Sequence, residues 1–128
     1  MATQDLTAAT FEQVIADHDI VLVDFWAAWC GPCRMFAPVY ETASAFHPGL
    51  VFGKVDTEAE RDLAAAAGIM SIPTLMVFRE GILLYAQPGA MPAQALDELI
   101  GAIKVADMDA VRTELAEHAA AESIESTS

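Results

Sequence analysis

The chain is poor in positive charge. Six lysines and arginines face 19 aspartates and glutamates, a formal net charge of −13. That balance argues against a nucleic-acid binder, whose phosphate contacts need a basic footprint, and against residence on an anionic membrane surface. It is read either as a diffuse acidic surface that favours solubility or as a charged face that steers positive partners. Long apolar runs are missing too, so no membrane span is expected. The start, Met1-Ala-Thr-Gln-Asp5, has no basic segment leading into an apolar one. No signal peptide is therefore expected, and cytoplasmic residence is the default. Cysteine is scarce: two residues cannot build a disulfide-dense scaffold.

What is present is a large apolar fraction. Hydrophobic residues make up 55% of 128, which excludes a disordered chain and fits one domain. Thr10-Phe-Glu-Gln13 has the form of a capping box before a short helix ending near Asp17. Ile20 to Ala27 is β-branched and nearly all apolar, as a strand covered on both faces would be. A helix is expected from Cys33 to Phe46, kinked at Pro38 rather than ended by it, because the apolar spacing continues across it. A strand over Leu50 to Val55 follows, then an Ala-rich helix over Glu58 to Ala67 with a stop at Gly68. Thr74 to Phe78 and Ile82 to Ala86 flank Glu80-Gly81 and predict an antiparallel hairpin. Pro92 is placed in the first turn of a helix through Leu96, Leu99, Ile100 and Ile103. The fold class is α/β, a mixed sheet with helices on both faces.

The last twenty residues differ. Asp109 to Ser128 hold one arginine against five acids. A helix is expected to about Ala121 with a frayed polar end, either packed on the domain or detached as a solubilising extension.

The two cysteines stand together, in Trp29-Cys-Gly-Pro-Cys33. Structural zinc wants four ligands, which this chain could supply only by pooling two copies, and His18, His47 and His118 lack finger spacing. Haem attachment wants a histidine at position 34, where arginine stands. An inert pair remains open beside a redox-active dithiol. The dithiol reading has a physical basis. A sulfur at a helix start faces unpaired N–H groups and the positive end of the dipole, which favours thiolate. Cys30 would attack a partner disulfide, and Cys33, one turn on, would resolve the mixed disulfide. Pro32 suits the first helical turn, and Gly31 leaves space for a partner chain.

Asp24 lies in an apolar strand just before this pair. A buried carboxylate is costly, so its pKa is expected to be raised. It is either an acid satisfied by hydrogen bonds or a proton acceptor and donor for Cys33. Lys54, in Gly-Lys-Val-Asp, either pairs with Asp24 or faces solvent.

The run from Val23 to Cys33, Val-Asp-Phe-Trp-Ala-Ala-Trp-Cys-Gly-Pro-Cys, resembles the active-site signature of the thioredoxin family. The resemblance extends to Met35, Ala37-Pro38, Lys54-Val-Asp56, Gly68-Ile69, Ser71-Ile-Pro-Thr74, Phe78 and Pro88-Gly-Ala90, covering about residues 5 to 106. It implies the thioredoxin fold in residues 1–108, with 109–128 an acidic extension. It implies a protein-disulfide reductase in which Cys30 attacks, Cys33 resolves, Asp24 is the acid beneath them and Lys54 is its partner. Pro73 is similar to the family's cis-proline. Trp29, Gly31, Pro32, Ile72, Pro73, Gly89 and Ala90 are then expected to form a flat docking surface, with Ile72 offering backbone hydrogen bonds to a target peptide. Trp26 is expected to pack under the active-site loop, and Phe25 to be core.

The resemblance further implies a monomer without a cofactor of its own. Its partners would be disulfide-containing targets and a flavin- and NADPH-dependent thioredoxin reductase. A specialised single-pathway protein and a binding module without turnover are the alternatives. Met70 departs from the family pattern, where a basic residue is frequent, and Ala28 stands where polar residues are common.

Overall fold

The computed structural model describes the backbone of residues 3–127 and the side chains of residues 3–122. A five-stranded sheet runs through it in the order β1-β3-β2-β4-β5. The strands are β1 (Thr3–Asp5), β2 (Ile20–Trp26), β3 (Val51–Asp56), β4 (Thr74–Arg79) and β5 (Ile82–Pro88). The first three run parallel, β4 adds antiparallel to β2, and β5 adds antiparallel to β4. The helices are α1 (Phe11–Asp17), α2 (Gly31–Phe46), α3 (Arg61–Ala66), α4 (Ala93–Val105) and α5 (Met108–Thr127).

Strand alternation explains the two layers. In β2, Ile20 and Leu22 join Phe36, Tyr40, Leu96 and Ile100 in the core under α2 and α4. Val21, Val23 and Phe25 join Ile15 and Val55 in a second core on the side of α1 and α3. Every residue of β2 before Trp26 is buried, which accounts for its unbroken apolar run. The period of two then places Asp24 with Ile20 and Leu22, on the face that α2 covers. Tyr40, fully buried on that helix, donates its hydroxyl to Gly53 O at 2.8 Å. Glycine at position 53 makes room for Leu6: a Cβ there would meet Leu6 Cδ1 at 2.5 Å, and the buried leucine would have to shift.

Several expected boundaries move. Polar β1, absent from the sequence reading, exists because Thr3, Gln4 and Asp5 pair in register with Phe52, Gly53 and Lys54. Its signal lies in its partner rather than in its composition. The capping box before α1 does not form. Thr10 Oγ1 accepts from Thr7 N at 3.0 Å, and the Gln13 amide donates to Asp17 instead. α3 begins at Arg61 rather than Glu58, because Asp56 Oδ1 accepts from Glu58 N and Ala59 N and holds those residues in a turn. Pro92 caps α4 from outside instead of sitting in its first turn. Pro38 lies inside α2 without ending it. At the hairpin, Glu80 and Gly81 have φ of 53° and 78°. Positive values at both central residues match the twist of a two-residue turn.

That hairpin end is a junction. Arg79 Nη1 donates to the carbonyls of Ile103, Lys104 and Ala106 at 2.9 to 3.1 Å, closing the C-terminus of α4 with a cation. Next to it, Arg112 of α5 pairs with Glu80, and with Asp109 at 2.6 Å. Met108 is buried and Val111 half-buried, while Arg112 to Glu122 are exposed. α5 thus docks by its first turn and extends beyond the body, and it reaches six residues past the expected end at Ala121. The polar end expected to fray is thus helical as far as Thr127, and Ser128 lies outside the described residues. Among the described residues no helix is long and apolar enough to cross a membrane.

Candidate active site

β2 ends at Trp26, and the chain turns through Ala27, Ala28 and Trp29 into α2. Cys30 is the N-cap of that helix, with extended backbone (φ −85°, ψ 114°) and proline in the first turn. Its sulfur accepts from Cys33 N at 3.2 Å, so the helix start offers a donor to charge on sulfur. Cys30 and Cys33 form a disulfide with Cα atoms 5.2 Å apart. Both are buried in this oxidised form, 5% and 2% exposed, so exposure hardly separates them. Position does: only Cys30 holds the cap. Ala27, Trp26 and Ile72 pack around the pair.

Beneath it, Asp24, Trp26, Cys33, Arg34, Ala37 and Lys54 line a cavity of about 100 Å³, which has room for water. Asp24 is 1% exposed, and neither carboxylate oxygen has a hydrogen-bond partner among the described residues. Burial raises its pKa from 3.8 to about 7, and the charge of Lys54 pulls the other way. The expected Asp24–Lys54 pair is only half realised. The two are register partners in β2 and β3. Lys54 Nζ, however, lies over the Trp26 ring, 5.0 Å from its centroid, so the ammonium acts on Asp24 through space. Lys54 thus sits over the indole while lining the same cavity as Asp24.

The remaining predicted residues come together from three loops. The Ile72–Pro73 peptide bond is cis. Ile72 O lies 3.7 Å from Cys30 Sγ. Gly89 N donates to Pro73 O at 2.7 Å, which ties the Gly89-Ala90 loop to the same rim. Trp29, Pro32, Gly89 and Ala90 are exposed, Gly31 and Ile72 partly so. Pro73 is buried and so backs this surface from below. Trp26 is half-buried under the loop, and Phe25 is core.

Glu58 escaped the sequence reading. Its carboxylate accepts from Trp29 Nε1 and from Arg61 Nη2, both at 2.8 Å, and so steadies the exposed indole. Trp29 first, and Arg61 next, hold its carboxyl below the usual range. The contact spans 29 residues of sequence, and no local pattern announces it. Among the described residues, no group of three or more His, Cys, Asp and Glu side chains is placed to hold a metal.

The thioredoxin family model matches residues 2–104. A Streptomyces coelicolor protein named "Putative thioredoxin 2" is 55% identical over 119 residues, covering 93% of this chain and 89% of its own. A stretch of that length must enter α5 wherever it begins, so at least the first half of the extension aligns there. Thioredoxin-1 of Saccharomyces cerevisiae is 40% identical over 102 residues, 80% of this chain and 98% of that one. Among solved structures, a thioredoxin of Plasmodium falciparum superposes with a TM-score of 0.73 at 36% identity, covering 81% of this chain and 100% of that one.

Proposed function

The chain belongs to the thioredoxin family of thiol–disulfide oxidoreductases, and from that premise we propose that it is a general protein-disulfide reductase. The carrying observation is Cys30 at the N-cap, its sulfur accepting from Cys33 N, above a cavity shared by Cys33 and Asp24. The Cys30 thiolate attacks one sulfur of a target disulfide. The other target sulfur leaves as thiolate, and a mixed disulfide forms. Cys33 then loses its proton and attacks Cys30 Sγ. The target leaves as a dithiol with two electrons, and the chain is left as the Cys30–Cys33 disulfide. Asp24, with a pKa near 7, accepts the Cys33 proton across the cavity, through water. Lys54 tunes that carboxylate by its charge.

The target docks on Trp29, Gly31, Pro32, Ile72, Gly89 and Ala90, with Pro73 beneath, and pairs its backbone with Ile72. A flavin- and NADPH-dependent thioredoxin reductase returns the two electrons, and the chain holds no cofactor itself. It works as a cytoplasmic monomer. The test is trapping: Cys33→Ser, exposed to a cell extract, should accumulate mixed disulfides through Cys30 that dithiothreitol releases. A Cys33→Ser protein that traps nothing favours a binding module without turnover.

Residues 1–108 are the working domain and 109–128 an appendage. Deleting 109–128 should leave insulin reduction intact. It should lower the melting temperature by only a few degrees, since what it removes from the body is one exposed ion pair and one half-buried valine. A collapse of activity would make α5 part of the domain.

A further inference from the structure

A groove of about 360 Å³ runs beside the disulfide, lined by Trp29, Thr57, Ala64, Ile69, Met70 and Ile72 among others. Two of its apolar members are open to solvent: Trp29 is 66% exposed and Met70 96%. A thioether on a flexible stem adapts to apolar partners of differing shape. Glu58, Glu60, Arg61 and Asp62 line a neighbouring cleft, and the hydrogen bond from Trp29 to Glu58 makes this stretch the wall between that cleft and the groove. That stretch carries Glu58, Glu60 and Asp62 against one cation, Arg61, which is already paired with Glu58. The indole and guanidinium beside Glu58 favour its charged form, so the wall keeps its charge at neutral pH.

Four of the other cations are engaged elsewhere. Lys54 lies over Trp26, Arg79 closes α4, Lys104 meets His47, and Arg112 meets Glu80 and Asp109. Arg34 lines the Asp24 cavity. An apolar groove with an acidic wall therefore continues the docking surface, within a chain of net charge −13.

Building on the reductase reading, we propose that this groove selects target disulfides whose cysteine is followed by a bulky apolar residue and then by lysine or arginine. Met70 takes the apolar side chain, and the wall from Glu58 to Asp62 takes the cation. Such complementarity acts mainly on encounter, so it appears in the second-order rate constant and fades with salt.

Two synthetic peptides test this. They share one intramolecular disulfide with leucine beside the cysteine, and they differ in Lys-Lys or Glu-Glu after it. Pre-reduced full-length protein is mixed with each, and each rate constant is divided by that peptide's rate with dithiothreitol to remove intrinsic reactivity. Hydroxyethyl disulfide, small and neutral, is run in parallel. At low ionic strength the Lys-Lys peptide should react about tenfold faster than the Glu-Glu peptide. The ratio should fall toward one in high salt. It should also fall at low salt in Met70→Lys, and in the double variant Glu58→Gln, Asp62→Asn, whose glutamine still accepts from Trp29. A ratio near one in the wild type, with hydroxyethyl disulfide reduced normally, would overturn the groove inference alone. So would a ratio unchanged in both variants. Failure to reduce hydroxyethyl disulfide at all would overturn the reductase reading along with it.

Discussion

Replacing Cys30 with serine should return dithiothreitol-driven reduction of insulin to its uncatalysed rate. The hydroxyl that takes the place of the thiol is hardly ionised at neutral pH, even with Cys33 N aimed at it, and it cannot form the mixed disulfide through which the electrons pass. The turbidity of precipitating insulin chains reads this directly. The fold should survive, because the side chain keeps its size and the N-cap preference of serine is strong. Far-ultraviolet circular dichroism of the variant should therefore match that of the dithiol wild type. Insulin reduction by Cys30→Ser at the wild-type rate would remove the reductase reading. It would also leave the disulfide in this structure without a catalytic task.

Asp24→Asn should produce the second large effect, in two measurements of opposite sign. In the folded chain the carboxyl has a pKa of about 7, against an ordinary value of 3.8. Between those values the folded state keeps a proton that the unfolded chain has released. Stability of the wild type therefore falls as pH rises from about 4 to 7, and the loss is complete above 7. Three units correspond to about 4 kcal/mol. Urea denaturation of the oxidised proteins should find Asp24→Asn more stable by up to that amount at pH 8, with the gap closing toward pH 4. The kinetics should run the other way. Without a proton acceptor for Cys33, release of a mixed disulfide at pH 8 should slow roughly 10- to 100-fold, and the inflection near pH 7 should vanish. A stability gap that does not change with pH would mean that Asp24 is not buried as an acid. Unchanged release would reduce it to a structural residue. The pair of outcomes says why an expensive group persists: stability is given up at the pH where the carboxylate works.

Much of this was legible beforehand, for identifiable reasons. A continuous β-branched run states burial on both faces, so an acid inside it must be buried, and its perturbed pKa follows. Glu80-Gly81 between two apolar runs states a hairpin. The cysteine spacing and the flanking proline state a helix start. What was not legible depends on partners distant in sequence. β1 is polar and becomes a strand only through Phe52, Gly53 and Lys54. The carboxylate of Asp56 delays α3 by capturing two N–H groups that the alanine-rich pattern assigned to the helix. Lys54 sits level with Asp24, yet its ammonium lies over Trp26, which a stem of four carbons allows. Glu58 could be found only by knowing where Trp29 points.

The junction at Arg79 and Glu80 has one more consequence. Arg79 pairs with Ile20, at the beginning of β2, while the thiols follow Trp26 at its other end. α4 and α5 meet at that junction, so the chain's C-terminal helix springs from the pole of the sheet opposite the reactive one. Twenty helical residues at 1.5 Å each reach about 30 Å outward. The molecule is thus polar in the way of a tool with a handle: a bead, a fluorophore or a second protein joined to α5 would be held away from the working end.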